Sequence, residues 1–238
     1  MNENRIALVT GGNKGIGLEI ARQLADAGVR VMIGARDPER GAAAAESLGS
    51  GVTAIHLDLD NEESIAKAAS QIVADHGRLD ILVNNAGIFE MMHDGPPSSV
   101  SLQAVRRQME VNFVGALAVT QAMLPLLKKS PAGRIVNLSS ALGSLTLNGT
   151  PGSAYYSSQF LGYNASKAAL NMLTVQLREE LRDTPIVVNS VSPGFVKTDL
   201  TGGYGNMTPE EGARLPVRFA LEGDENGGFF DADGRTPW

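Results

Sequence analysis

The sequence predicts a doubly wound α/β fold, a parallel sheet of seven strands with helices on both faces, in a single domain over residues 1–238. Three observations carry that expectation. Apolar strand-like runs alternate along the chain with amphipathic helical stretches, the pattern of repeated strand–helix–strand units. The strand-like runs, of which Ile6 to Val9 is the first, are near-continuously apolar, as expected of strands covered on both faces. The first of them leads through Thr10-Gly11-Gly12-Asn13-Lys14-Gly15-Ile16-Gly17 into a helix carrying Ile16, Ile20, Leu24 and Ala27 at helical spacing.

The remaining elements follow in order. Val29 to Ala35 reads as the second strand and Pro38 to Leu48 as an alanine-rich helix. Val52 to Leu57 is the third strand, ending at Asp58-Leu59, before a helix over Glu62 to His76. Leu79 to Val83 is the fourth strand, and a loop over Ile88 to Ser99 leads to one long helix, Leu102 to Lys128. Arg134 to Leu138 is the fifth strand, ending at Ser139-Ser140. A Gly-, Ser- and Pro-containing stretch over Leu145 to Leu161 precedes a helix over Tyr163 to Arg182. Ile186 to Val191 is the sixth strand, and Gly227 to Asp231 the seventh. No repeat, charge tract or interdomain linker interrupts the series.

Composition narrows the function classes. A formal charge of −6 argues against a nucleic-acid surface, which needs clustered Lys and Arg. The best apolar window, Gly115 to Leu127, is broken by Gln121 and Pro125, so no membrane span is expected. The N-terminus enters the first strand without a basic leader, and a cytoplasmic protein is expected. With no cysteine there is no disulfide, thiolate nucleophile or cysteine metal site. His56, His76 and His93 lack ligand spacing, and no metal is expected.

Two stretches carry chemistry. In Tyr163-Asn164-Ala165-Ser166-Lys167, the phenol and the ammonium stand four residues apart on one helical face. A phenol with a reference pKa of about 10 is a poor proton-transfer group at neutral pH, and a neighbouring positive charge is expected to lower that value. In the glycine-rich turn, backbone N–H groups and a helix N-terminus suit a pyrophosphate. The second strand ends at Arg36, where dinucleotide folds select a ribose 2′-hydroxyl with an acid or a 2′-phosphate with an arginine. Arg36, with Lys14 in the turn, suits the phosphate. Asp37 lies one step late and is expected to cap the helix that begins at Pro38.

Taken together, the T-G-x-x-x-G-x-G turn, Asn84-Asn85-Ala86-Gly87, Asn112 within the long helix, Ser139-Ser140, Tyr163/Lys167 and Pro193-Gly194 resemble the short-chain dehydrogenase/reductase family over nearly the whole chain. The stretch before Tyr163 resembles that of its carbonyl-reductase-like members. The resemblance implies a Rossmann-type fold and NADP(H)-dependent hydride transfer to a ketone or aldehyde, or from a secondary alcohol. It implies Asn112, Ser140, Tyr163 and Lys167 as catalytic residues. It implies a cofactor site of Gly11, Asn13, Lys14, Gly15, Ile16, Gly17, Arg36, Asp58, Leu59, Asn85, Ala86, Gly87, Tyr163, Lys167, Pro193, Gly194, Val196 and Thr198. Asp58 is assigned to the adenine, with capping of the next helix as its alternative. Asn112 is assigned to disturbing the long helix and holding a water that reaches Lys167. A substrate lid is implied over residues 195–221.

The sequence departs from the family in one place. Ser140 and Tyr163 are 163 − 140 = 23 positions apart, more than is usual, so Tyr155 and Tyr156 compete for the catalytic role. Neither has a lysine four residues on, because Gln159 and Phe160 stand there. The extra stretch, with Leu145, Leu147, Tyr155, Tyr156, Phe160 and Leu161, is expected to lie over the long helices, giving a monomer or a small homo-oligomer. Two alternatives to a carbonyl reductase stand beside it: a reductase of acyl-carrier thioesters and a non-catalytic NADP-sensing regulator.

Overall fold

The computed structural model describes residues 5–238. Strand β1 (Ile6–Thr10) is buried along its whole length at the middle of the sheet. On one side of it stand β2 (Arg30–Ala35) and β3 (Val52–His56). On the other stand β4 (Ile81–Asn84), β5 (Arg134–Leu138), β6 (Val187–Val191) and β7 (Phe229–Asp231). These seven strands are parallel, in the spatial order 3-2-1-4-5-6-7, as the apolar runs predict. A two-residue strand, β8 (Gly234–Arg235), adds an antiparallel edge that the sequence pattern does not reveal. The order reverses between β1 and β4, which opens a crevice at their carboxyl ends, the usual ligand position in such sheets.

Helices cover both faces. α1 (Gly15–Asp26), α2 (Pro38–Leu48) and α8 (Pro209–Leu221) bury Ile20, Leu24, Val217 and Phe219 with Val9, Ile33 and Val83. On the other face α3 (Glu62–His76), α5 (Ala116–Leu127) and α7 (Leu161–Glu180) bury Ile72, Val119, Met123, Leu170 and Leu177 with Leu8, Leu82, Ile135 and Val188. A polar ladder crosses that second face. Asn84, Asn137 and Ser190 are in register on β4, β5 and β6. The Asn84 amide donates to Asn137 Oδ1 (2.8 Å) and to Thr120 of α5 (3.0 Å). Asn137 donates to Thr174 of α7 (2.8 Å), which shares a hydrogen bond with Ser190 (2.8 Å).

Three expectations need correction. The helix expected over 102–128 is a single path in three parts: α4 (Leu102–Met109), a π-helical turn (Glu110–Gly115) and α5. By length and composition, Leu102–Leu127 is apolar enough to cross a membrane, contrary to the window reading. Half of its most apolar window is buried inside the protein, as in a core helix. The segment expected as a lid over 195–221 is loop with a short 3-10 turn up to Thr208 and regular α-helix after it. Beyond it α8 is a core helix whose start is marked by a capping box: Thr208 Oγ1 accepts from Glu211 N, and Glu211 accepts from Thr208 N.

The stretch before Tyr163 meets only the start of α7, where Asn164 Nδ2 donates to Asn148 Oδ1 and Ser158 O (both 2.8 Å), and leaves Met172 on the outer face of that helix exposed. It forms the short α6 (Leu145–Gly149) and a series of turns over the first turns of α7. Its start is tied instead to the C-terminal residues, Ser144 Oγ donating to Pro237 O (2.7 Å) and Thr146 N to Trp238 O (2.9 Å). Leu145 is 75% exposed and Tyr156 46% exposed, while Met172 on the outer face of α7 remains 56% exposed.

Candidate active site

The cofactor turn is shaped by missing side chains. Gly11 has φ +62°, and a Cβ there would meet the Ala86 backbone at 3.0 Å. A Cβ on Gly17 would collide with the Asn85 amide and with Gly11 O. These close approaches lock β1 to β4: Asn85 Nδ2 donates to Thr10 O (2.7 Å), and Thr10 Oγ1 accepts from Asn85 N and Ala86 N (both 3.0 Å). α1 begins at Gly15 with no side-chain cap and no acidic residue in its first turn. Its leading N–H groups are therefore free to receive an anion, and the site fits a pyrophosphate. Asn13 and Ile16 are half-buried at this turn, Ile16 packing on the core behind it.

At the end of β2, Asp37 caps α2 as the sequence reading expects, while Lys14 is engaged elsewhere. Asp37 Oδ1 accepts from Glu39 N (3.0 Å) and Arg40 N (3.1 Å), so its carboxylate is spent capping α2. Arg36 is exposed at the end of β2 and, among the described residues, has no salt-bridge partner. Lys14 instead pairs with Asp199 (2.8 Å), because its extended backbone turns it toward the loop after β6. The Asp58 carboxylate accepts from Asp60 N (3.2 Å), and the α3 cap is Asn61, which removes the capping alternative for Asp58. Leu59 packs against the π turn, where a Cβ on Gly115 would meet it at 2.8 Å.

The catalytic candidates meet at the C-terminal ends of β4 and β5. Gly87 is the crossing point, since a Cβ there would stand 3.2 Å from Asn112 Oδ1 and 3.5 Å from Lys167 Nζ. Lys167 is buried and donates to Leu138 O (2.8 Å), with Nζ 5.7 Å from the Tyr163 ring centre. Tyr163 is 8% exposed, and its phenol interacts with the Ser140 side chain. Ser140 Oγ also accepts from Leu142 N (3.2 Å), whereas Ser139 is buried and directed at the Lys167 backbone carbonyl (3.5 Å). The structure thus separates the two serines as the reading predicts. Asn112 sits in the π turn, as expected of a disturbed helix. Its side chain is committed to Ile88 N (2.7 Å), Ile88 O (2.9 Å) and Ser166 Oγ (2.9 Å).

Electrostatics correct one expectation. Burial pushes the Tyr163 phenol up to about 12, offset in part by the Ser140 hydrogen bond, and Lys167 does not pull it down. The reason is geometric: the ammonium is turned to Leu138 O, and burial lowers its own pKa to about 8. Tyr155 lies away from this centre, its pKa raised by burial and by Asp231 and Asp233, and Tyr156 is exposed. Both rivals stand apart from Lys167.

Beyond β6, Pro193 and Gly194 turn the chain, Gly194 with φ +88°. Val196 is buried, its side chain packed against Gly212 of α8. Thr198 lies over the glycine turn, its methyl 3.5 Å from where a Gly15 Cβ would be. Four residues outside the expected set also shape the centre. Phe89 packs on Tyr163 (ring centres 4.6 Å apart), and Gly143 has no room for a Cβ against Lys167. Ser166 donates to Tyr163 O (2.7 Å), and Asp94 accepts from Tyr163 N (2.8 Å). Ser166 lies inside the quoted Tyr–Lys motif, whereas Phe89 and Asp94 fall in a loop with no local signal. A cavity of about 210 Å³ lined by Leu142, Leu145, Asn148, Phe160 and Asn164 is separate from the reaction centre, touching neither Ser140 nor Tyr163.

Comparison with known proteins agrees with this arrangement. Residues 5–208 match the family model described as short chain dehydrogenase. A short-chain dehydrogenase of Penicillium roqueforti is 37% identical over 227 residues, covering 92% of this chain and 89% of the relative. Carbonyl reductase [NADPH] 1 of Mus musculus is 33% identical, covering 91% of this chain and 90% of that one. The crystal structure of NADPH-bound carbonyl reductase from chicken fatty liver superposes with a TM-score of 0.86 at 29% identity, covering 100% of both chains. With most of its length matched by the family model and by relatives more than 30% identical, the chain belongs to the short-chain dehydrogenase family, as an oxidoreductase of carbonyl or alcohol substrates.

Proposed function

We propose that the protein is an NADP(H)-dependent carbonyl reductase, acting reversibly between a ketone or aldehyde and the corresponding alcohol. The observation that carries the direction is Tyr163, a buried phenol held in its protonated form beside Ser140. The reading of the cofactor rests on Arg36, free at the end of β2 while Asp37 is spent as a cap. The similarity to the Mus musculus carbonyl reductase named for NADPH and to the NADPH-bound chicken enzyme supports it.

The glycine turn and the open start of α1 would hold the pyrophosphate, and Arg36 the 2′-phosphate. Asp58 and Leu59 would border the adenine. Asn85, Ala86 and Gly87 would back the ribose and nicotinamide, with Pro193, Gly194, Val196 and Thr198 at the carboxamide. The cofactor, when bound, supplies the hydride. Ser140 donates a hydrogen bond to the substrate oxygen as negative charge grows there. Tyr163 gives that oxygen its proton, which a phenol with a pKa of about 12 retains across the physiological range. Lys167, buried with its ammonium held at Leu138 O, would bond the nicotinamide ribose of the bound cofactor. Asn112 fixes Ile88 and Ser166 around the pair and would place a water toward Lys167.

Two measurements test this. NADPH oxidation across ketones, aldehydes, quinones and acyl thioesters is expected to show turnover with the carbonyls and least with the thioesters. NADPH is expected to bind more tightly than NADH, and Arg36→Asp to cut that preference about 10- to 100-fold, the worth of charge-assisted hydrogen bonds. Equal affinity of the unaltered protein for the two cofactors overturns the NADP assignment.

A further inference from the structure

We infer that Asp94 is a positioning residue for Tyr163, acting through the first turn of α7 and through the loop that carries Phe89; the inference rests on Tyr163 being the proton donor. α7 is 20 residues long and has no side-chain cap of its own, because Phe160 occupies the capping position. The missing acceptor comes from a residue 68 and 69 positions upstream. Asp94 Oδ1 accepts from Gly162 N (2.9 Å) and Oδ2 from Tyr163 N (2.8 Å). A third leading N–H, that of Leu161, donates to Gly95 O (3.0 Å).

The carboxylate is itself held. Oδ1 also accepts from Gly95 N (2.8 Å), and Oδ2 from Gln108 Nε2 (3.0 Å). Gln108 is fully buried on α4, and its Oε1 accepts from Glu90 N (3.2 Å). Four positions further along the same helical path, Asn112 holds both polar backbone groups of Ile88. The segment 88–94 is therefore pinned at Ile88, Glu90 and Asp94 by two side chains on one helix face. The ring of Phe89, inside that segment, packs on Tyr163 at 4.6 Å and on Phe160 at 5.0 Å. Gly162 completes the fit, since a Cβ there would run into the Gln108 amide and stand 3.2 Å from Asp94 Oδ2. Tyr163 is thus located twice by one loop, at its backbone N–H by Asp94 and at its ring by Phe89.

A carboxylate is specifically required. Both oxygens already receive two donors each, so an amide in its place sets a donor against donors. Asp94→Asn is therefore expected to lower kcat for carbonyl reduction about 10- to 100-fold, the scale of a misplacement of about 1 Å at a reacting group. The Kd for NADPH and the KM for the carbonyl should stay within about twofold, since both Asp94 oxygens are taken up by Gly95, Gln108 and the start of α7. Asn61→Ala, which removes the cap of α3, serves as the comparison: it should lower Tm without lowering kcat. If Asp94→Asn does not fold, Gln108→Leu replaces it. That variant leaves the carboxylate in place but unanchored, and is expected to lower kcat about 3- to 10-fold with the same unchanged Kd. Tyr163→Phe is measured in parallel. Should Tyr163→Phe retain turnover, the assignment of the proton donor fails. If Tyr163→Phe is inactive while Asp94→Asn, or its Gln108→Leu substitute, keeps an unaltered kcat, the positioning role of Asp94 is overturned.

Discussion

α1 and α7 begin alike and end up opposite. Neither has a side-chain cap from its own neighbourhood, and both leave backbone N–H groups at a site of chemistry. In α1 those groups face a crevice bounded by glycines and stand open to an exogenous anion. In α7 they are completed from within, by Asp94. An open helix start suits a ligand that must come and go, whereas a filled one suits a side chain that must stay where it is. Absence of a local cap is therefore a signal with two meanings, and only the tertiary structure tells them apart.

The comparison breaks most visibly at Tyr163. Tyr163→Phe is expected to reduce turnover by about 10³-fold, within the range of general acid catalysis, and to leave NADPH binding nearly intact. Loss of both in isothermal titration and steady-state assays would mean that the two helix starts are not separable. The open start is tested at Gly17. Gly17→Val is expected to weaken NADPH binding about 100-fold and to lower stability by about 1–3 kcal/mol, because the side chain would run into the Asn85 amide and the Gly11 backbone carbonyl. An intact NADPH affinity in that variant would show that the turn is not shaped by close backbone approach.

The smallest expected effect is in pH. Lys167 carries its charge below about 8, so reduction should be level below that pH and fall about tenfold by pH 9. The reverse reaction needs the phenolate of a group with a pKa of about 12, and its rate should rise with pH. Stability should move separately. The folded value of Lys167 lies below the ordinary lysine value of 10.5, so the unfolded chain binds more protons between about 8 and 10.5, and Lys167 adds stability as pH rises through that window. Tyr163, raised from 10.0 to about 12, contributes stability that is lost above 10. A net rise is expected from about 8 to 10 in denaturant titrations, and Lys167→Met should remove it.

What the sequence disclosed was local. The T-G-x-x-x-G-x-G turn, the Asp37–Pro38 helix start and the Tyr163–Lys167 spacing each lie within a few residues, and each stands where that spacing puts it. The seven parallel strands follow from apolar runs of the right length, whereas β8 is two residues long and has no such run. Asn112 betrays itself as a poor helix former, but its π turn depends on what it holds at Ile88 and Ser166. Asp94 was invisible because its partners lie 68 and 69 residues away, and Lys14 found Asp199 across 185. One local signal does divide the expected lid: Thr208 and Glu211 spell a capping box, and the helix begins there.

The ladder of Asn84, Asn137 and Ser190 has a consequence for how the chain reaches this state. Parallel strands of Val, Ile and Leu tolerate a slip of two residues, which returns every side chain to the same face. Here such a slip of β4 against β5 would set the Asn137 amide beside Leu82 and leave buried polar groups unpaired, at about 1–3 kcal/mol each. Mispaired sheets are thereby made to dissolve rather than persist. The cluster acts as an index mark during assembly, tying β4, β5 and β6 to α5 and α7 in one alignment only.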